Sequence, residues 1–453
     1  MAMSDARYDV VVAGGGHHAT IIAPYLARAG LSVLVLERSD HLGGGACGSE
    51  GPAPGFMMNH CSHWTRFYSH PAYGDFALHD EGLHYLFPDE NEGMIFDDGS
   101  SFVGFSASRV VDARTGRQER SDENIHRTWD QIARFSQRDA ETYLGLLEAY
   151  EQFWKQAFRR HRFGVPPPWG VPDPLEELLD VPDSRIEPVH QFMTLRQLAA
   201  DFFESPELQI LFMRAATTST GCFPDDVPGL QGLIHCLPLT LSFEPAAIAV
   251  GGSQAISDAL IAAGRKLGVA YQTGSEVDRI VAANGRATGV ALSDGSRVSA
   301  GTVVSNLGLG QTVLRLLRDV RMDHRLRRRI ANVHYDRGQL LWTNLAIHEP
   351  PRYVAEAGNP GVGAQPRLYW GPKDLDYVHL RYQPEIFTGG FASRPYVLCS
   401  VDSLWDSSRA PGGSHIVGVE EFSAPRRRFS ASEWRGIKAR FTENLLSAWA
   451  EYA

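Results

Sequence analysis

Residues 8–50 read YDVVVAGGGHHATIIAPYLARAGLSVLVLERSDHLGGGACGSE, and no other stretch restricts the possible folds as much. Tyr8 to Ala13 is a short apolar run rich in β-branched valine. Glycines interrupt it, and apolar residues then recur at helical spacing from His17 to Ala29 until Gly30 stops them. Ser32 to Glu37 is a second apolar run that ends in an acid. Strand, glycine turn, helix and strand in this order predict the opening of a parallel βαβ unit, and so an α/β fold.

The turn Gly14-Gly15-Gly16-His17-His18-Ala19 satisfies G-x-G-x-x-G/A. Gly14 permits the tight turn, Gly16 lets a pyrophosphate approach the backbone, and Ala19 is small enough for the helix to pack on the strand. A pyrophosphate there would meet free helix N–H groups and the positive end of the helix dipole. Glu37 lies 23 residues beyond Gly14, near the roughly 20 expected for an acid that accepts from ribose hydroxyls. A second cluster, Gly43-Gly44-Gly45, begins six residues after Glu37. An NAD site does not require it, whereas a long, bent FAD can use it; the other reading is an exposed flexible loop.

At 453 residues the chain can form two or three domains of about 150 residues, each with its own core. A net charge of −10 without a compensating basic run argues against nucleic acid as a partner. The arginine runs at 327–329 and 426–428 read as solvated faces. Met1 to Val10 carries acids and no apolar core, and no stretch approaches about 18 uninterrupted apolar residues, so the expected protein is soluble or at most peripheral to a membrane. Cys47, Cys61, Cys222, Cys236 and Cys399 form no C-x-x-C, which suits a reducing cytoplasm better than a disulfide framework.

Further along, Gly93 to Phe96 and Ser101 to Phe105 flank the turn Asp97-Asp98-Gly99 and predict a hairpin. From Ser121 the texture is helical, with Tyr143, Leu147, Tyr150, Trp154 and Ala157 on one face, a pattern that reads as core. Pro166 to Pro174 is a stiff extended connector. Residues 229–243 are the most apolar part of the chain. A buried core segment is the favoured reading because no basic amphipathic face accompanies them; a tunnel lining or a membrane-contacting surface is the alternative. After Gly251 a helix is expected from Ser253 to Leu267, then strands at Glu276–Ala282, Ala287–Leu292 and Thr302–Ser305 with turns at Asn284-Gly285 and Asp294-Gly295.

The two glycine segments, IARFSQRDAETY, GGSQAISDALIAAGRKLGVAYQTGSEVDRIV and the later VVSN together resemble the phytoene-desaturase-like FAD oxidoreductases of the amine oxidase superfamily, which include carotenoid desaturases and retinol saturase. The resemblance implies a discontinuous Rossmann-like FAD-binding domain, residues 1–105 and 246–308. An inserted α+β substrate domain would comprise a mainly helical part, 106–245, and a second part, 309–453. It implies FAD as cofactor, with Gly14, Gly16 and Ala19 cradling the pyrophosphate and Glu37 on the adenosine ribose. Gly43 and Gly44 would lie beneath the flavin side, and Val277 would meet the adenine through its backbone. Gly15, His17, Arg38, Gly45 and Ser305 complete the candidate cofactor contacts. His18 and Ala19 stand where many relatives carry asparagine and glycine, a change the motif tolerates sterically.

Relatives also continue into a glycine-rich C-terminal FAD segment. Here Ser430 and Glu433 form a capping box, and Trp434, Ile437, Phe441, Leu445 and Ala448 repeat at helical steps almost to Ala453. The expectation is a short chain, a fragment, or one completed by a second polypeptide, with apolar surface exposed around Trp434, Phe441 and Leu445 and weak flavin retention by the chain alone. Flavin enzymes need little acid or base help, and no H-E-x-x-H, G-x-S-x-G or Walker lysine occurs, so no catalytic residue is assigned. Asn59, His60 and His63 follow the second glycine cluster; a packed loop is the favoured reading over a proton site. Three functions compete: hydride transfer with a carbon–carbon bond of a small apolar, isoprenoid or carotenoid-like substrate; amine oxidation; and a flavoprotein subunit without catalysis of its own.

Overall fold

The computed structural model describes residues 7–61, 64–333 and 338–453. In chain order, the elements that matter for the site begin with β1 (Arg7–Ala13), α1 (His17–Arg28) and β2 (Val33–Leu36), then the hairpin β3 (Glu90–Phe96) and β4 (Ser101–Phe105). They resume with α2 (Gln254–Lys266), β5 (Ala270–Gln272), β6 (Val277–Ala283), β7 (Arg286–Leu292), β8 (Arg297–Ser305) and α3 (His324–Ala331). The chain closes with β9 (Gln339–Ile347), β10 (Arg367–Gly371), β11 (Val397–Ser400), β12 (His415–Ser423) and α4 (Ala431–Trp449).

Two compact units emerge. The first draws on Met1–Leu86, Ala113–Gly116 and Ile248–Tyr335, the second on Phe87–Asp112, Arg117–Ala247 and Asp336–Ala453. These divisions fall elsewhere than the expected 105 and 308. The β3–β4 hairpin, expected with the first unit, lies in the second because β3 pairs in parallel with β10, Glu92 opposite Arg367. Residues 309–333 stay with the first unit.

The first unit is built on a sheet of order β5-β2-β1-β8-β7-β6, parallel from β5 to β8 and antiparallel beyond. Both faces are covered, as a parallel sheet requires. Val11 and Ala13 pack with Leu34, Leu36 and Val290 on one side, while Val10 and Val12 pack with Ala19, Ala23 and Ile261 on the other. The small residues Ala19 and Ala23 let α1 lie close to the strands, the role that the motif assigns to Ala19.

The second unit holds a sheet of order β9-β12-β11-β10-β3-β4. The stripe Tyr143, Leu147, Tyr150, Trp154 and Ala157 is buried, with Trp154 donating to the Ser184 carbonyl at 2.7 Å. Residues 229–240 form a helix with Leu233, Ile234, Cys236 and Leu237 buried, so this segment is core and offers a membrane no surface.

The expectation of exposed apolar surface on the last helix is overturned at Phe441 and Leu445, while Trp434 is half-buried. Phe441 (2% exposed) and Leu445 (0%) join Trp370, Val417 and Val419 in one core cluster, and Tyr452 packs on the Trp370 ring at 4.9 Å. The helical period identified the apolar face correctly; the sheet that receives it was not visible in the sequence. At its other end α4 has the capping box that its sequence predicts. The Ser430 hydroxyl accepts from the Glu433 N–H, and the Glu433 carboxylate accepts from the Ser430 N–H at 2.7 Å. Ser430→Ala is expected to cost about 1 kcal/mol, read as a lower urea midpoint at unchanged slope.

Candidate functional site

The amide of Gly14 donates to the Leu36 carbonyl at 2.8 Å, and the chain turns there at φ +93°, a conformation that glycine adopts without strain. Gly16 is the N-cap of α1, and no side chain caps the helix. Its first-turn N–H groups are therefore the natural partners of an anion. At the end of β2, Glu37 is fixed beside this turn: one carboxylate oxygen accepts from the Gly15 N–H at 2.7 Å and the other from the Ser39 N–H at 2.9 Å.

The second glycine cluster is part of the same construction. Gly43 donates to the Gly15 carbonyl at 2.9 Å, and Gly16 and Gly43 form a parallel bridge. Gly44 lies so close beneath that a Cβ on it would come within 2.9 Å of the Gly16 Cα. What could have been an exposed loop is a backbone clamp on the turn.

A cavity of about 370 Å³ opens over these segments. Gly14, Gly16, His17, Glu37, Arg38, Gly44, Gly45 and Val277 line it, all anticipated from the sequence. Four other anticipated residues do not. Gly15 and Gly43 act through the backbone bonds just described, and Ala19 is buried on the strand-facing side of α1. Ser305 turns to the Thr312 hydroxyl at 2.7 Å; Asn306 and Leu307 line the wall in its place, the Asn306 amide donating to the Gly14 carbonyl at 3.4 Å. His18, Ser275, Glu276, Gln311 and Arg315 were also missed. The VVSN segment signalled Asn306, but the strand end did not reveal which of its two polar side chains faces inward.

Burial pushes the His17 imidazole below its ordinary pKa, the neighbouring His18 adds to the effect, and a hydrogen bond with the Gly43 backbone opposes it. The surroundings therefore favour the neutral form of His17. At the far wall Arg315 pairs with Glu276 at 2.6 Å.

The packed-loop reading holds for Asn59, which is buried, whereas His60 is exposed and bonded to its neighbours. The His60 ring nitrogens lie 3.2 Å from the Cys47 sulfur and 2.7 Å from the Ser49 hydroxyl, and Asn59 accepts from the Ser253 N–H at 3.0 Å. Cys47 donates to the Gly44 carbonyl, and burial raises its thiol pKa. His63 lies outside the described residues.

A family model described as flavin-containing amine oxidoreductase matches residues 21–338. The chain belongs to the flavin-containing amine oxidoreductase family. A limonene dehydrogenase subunit of Castellaniella defragrans is 26% identical, the alignment covering 99% of this chain and 80% of the relative. Carotenoid 3,4-desaturase of Haloarcula japonica is 27% identical over 61% of this chain, a match spanning 52% of the relative, about half its length. Among solved structures, an oxidoreductase from Methanosarcina mazei superposes with a TM-score of 0.60 at 17% identity, covering 98% of this chain and 84% of that one; this supports the fold.

As a member of this flavin-containing amine oxidoreductase family, the chain is an FAD-dependent oxidoreductase. The cavity fits the adenosine diphosphate half of FAD on its own evidence. A side chain at Gly44 would occupy the clamp, the α1 N-terminus is uncapped, and an acid stands at the ribose position. Gly14 and Gly16 with the first turn of α1 would hold the pyrophosphate, Glu37 the ribose, and Val277 with Leu307 the adenine side.

Proposed function

We propose that this enzyme transfers hydride between FAD and a carbon–carbon bond of an apolar, isoprenoid-like substrate. The observation that carries this reading is the alignment with the limonene dehydrogenase subunit along 99% of the chain, since limonene is an apolar isoprenoid hydrocarbon. The carotenoid 3,4-desaturase match supports the same substrate class.

In the direction of dehydrogenation, one C–H bond of the substrate gives its electron pair and hydrogen as hydride. A neighbouring C–H bond then releases a proton to solvent as its electrons form the new double bond. Bound FAD supplies the hydride acceptor. The chain's part in the first unit is to hold the dinucleotide: the α1 N-terminus meets the pyrophosphate charge and Glu37 accepts from the ribose hydroxyls.

The test is anaerobic. FAD-loaded protein is mixed separately with a cyclic monoterpene, a C40 polyene and a diamine, and the flavin absorbance is followed while products are read by mass spectrometry. Bleaching with a hydrocarbon, accompanied by loss of two hydrogens from it, is the expected result. Bleaching by the diamine alone would sink the proposal and favour amine oxidation. That the limonene dehydrogenase relative is itself one subunit of an enzyme supports a second polypeptide acting with this chain. Full turnover by the isolated chain would remove the need for that partner.

A further inference from the structure

We propose that the exposed face of α3 is a peripheral docking surface for an anionic phospholipid bilayer. The helix is anchored on one side only. Arg327 donates to the Leu317 carbonyl at 2.9 Å and to the Arg318 carbonyl at 3.3 Å, and Ile330 is buried. At about 100° per residue, Arg325, Arg328 and Arg329 turn away from that side, and Arg321 and His324 stand at the helix start.

Among the described residues, none of these five groups has an acidic partner, whereas the acids nearby are committed. Asp323 caps α3 through the Arg325 and Leu326 N–H groups, Asp278 pairs with Arg318 at 2.6 Å, and Asp319 lies 3.9 Å from Arg279. A concentrated positive face on a chain of net charge −10 is not explained by the chain's own ion pairing. Its complement is a dense anionic surface.

Leu326 decides which surface. It is 46% exposed at the edge of the arginine face, about 60° round the helix from Arg329, and Val333 just beyond the helix is 42% exposed. A nucleic-acid backbone gives such side chains nothing to pack on. A bilayer takes the leucine into its interface and the guanidinium groups at its headgroups, with the apolar arginine stems lying along the boundary. Among the described residues no helix is long and apolar enough to cross a membrane, so this contact is peripheral. It also occupies a different place from residues 229–243, whose apolar side chains are buried.

The test uses the full chain loaded with FAD and flotation with two vesicle types, phosphatidylcholine alone and phosphatidylcholine mixed with phosphatidylglycerol. Wild type is expected to float with the mixed vesicles only and to be released by high salt. The triple variant Arg325→Glu/Arg328→Glu/Arg329→Glu is expected to lose affinity by about 100-fold or more, each basic side chain near an anionic surface being worth roughly fivefold. It should retain its FAD content and circular dichroism spectrum. If it does not fold, the corresponding triple glutamine variant must still lose binding. Leu326→Ser is expected to weaken binding several-fold. Absence of flotation, equal binding to both vesicle types, an unaffected triple variant, or tighter binding to duplex DNA at the same ionic strength would each overturn the proposal.

Discussion

Gly44→Val is expected to yield protein that retains no FAD through gel filtration. Gly44 sits at φ +59°, and an added Cβ would lie 2.9 Å from the Gly16 Cα. The obstacle is backbone, so no side-chain rotation relieves it. Gly16 would have to move, and with it the N-terminus of α1 and the Gly43 bond to the Gly15 carbonyl. Each hydrogen bond lost to the cofactor is worth about 0.5–1.5 kcal/mol, and losing several together lowers affinity by orders of magnitude. Gly16→Val should act more narrowly, because its Cβ meets the Asn306 amide at 3.0 Å, a side chain that can shift, while the valine methyls enter the cavity itself. Gly308→Ala is the control, since nothing lies within 4 Å of its added Cβ. Flavin-to-protein ratios and FAD titrations read the outcome; stoichiometric, tight binding by Gly44→Val would refute the clamp.

The parts of this site that the sequence displayed are those set by local order. The valine run, the glycine turn, the helical period and the acid at position 37 all fall within one βαβ unit, where neighbours in sequence are neighbours in space. The parts that were hidden depend on distant pairing. β1 lies against β8, Arg7 opposite Ser299, and only that register carries Asn306 and Leu307 to the cavity wall. The same limit explains the β3–β4 hairpin, legible as a hairpin but not as a neighbour of β10. Phe441 and Leu445 were legible as one helical face but not as the cover of a sheet. Periodicity names the face of an element; it does not say which surface will meet it.

Glu421→Gln is expected to raise stability at pH 8 by roughly 2–3 kcal/mol and to flatten its dependence on pH. Glu421 lies in β12, which is buried from Ile416 through Ser423. Burial holds its carboxyl up at about 7 against an ordinary 4.5, and Glu420 pushes the same way; Arg214, the Tyr382 hydroxyl and the Phe422 N–H oppose them. Between pH 4.5 and 7 the folded protein keeps this proton while the unfolded chain releases it. The folded state therefore binds more protons, and stability falls as pH rises through that window and levels off above it. One carboxyl oxygen accepts from Tyr382 at 2.5 Å and from the Phe422 N–H at 2.7 Å, while the other has no hydrogen-bond partner. Glutamine keeps the accepting oxygen and removes the charge that becomes costly at high pH, while its amide N–H groups, placed where the unpartnered oxygen was, offset part of the gain. Arg214 retains its bond to the Glu420 carbonyl at 3.2 Å, so the substitution does not strand it. Urea unfolding at pH 5, 6, 7 and 8 should show wild type losing stability up to pH 7 and the variant nearly level. A flat wild-type profile, or a variant less stable than wild type at pH 8, would show that Glu421 is ionised in the folded protein at neutral pH and that Arg214 outweighs its burial.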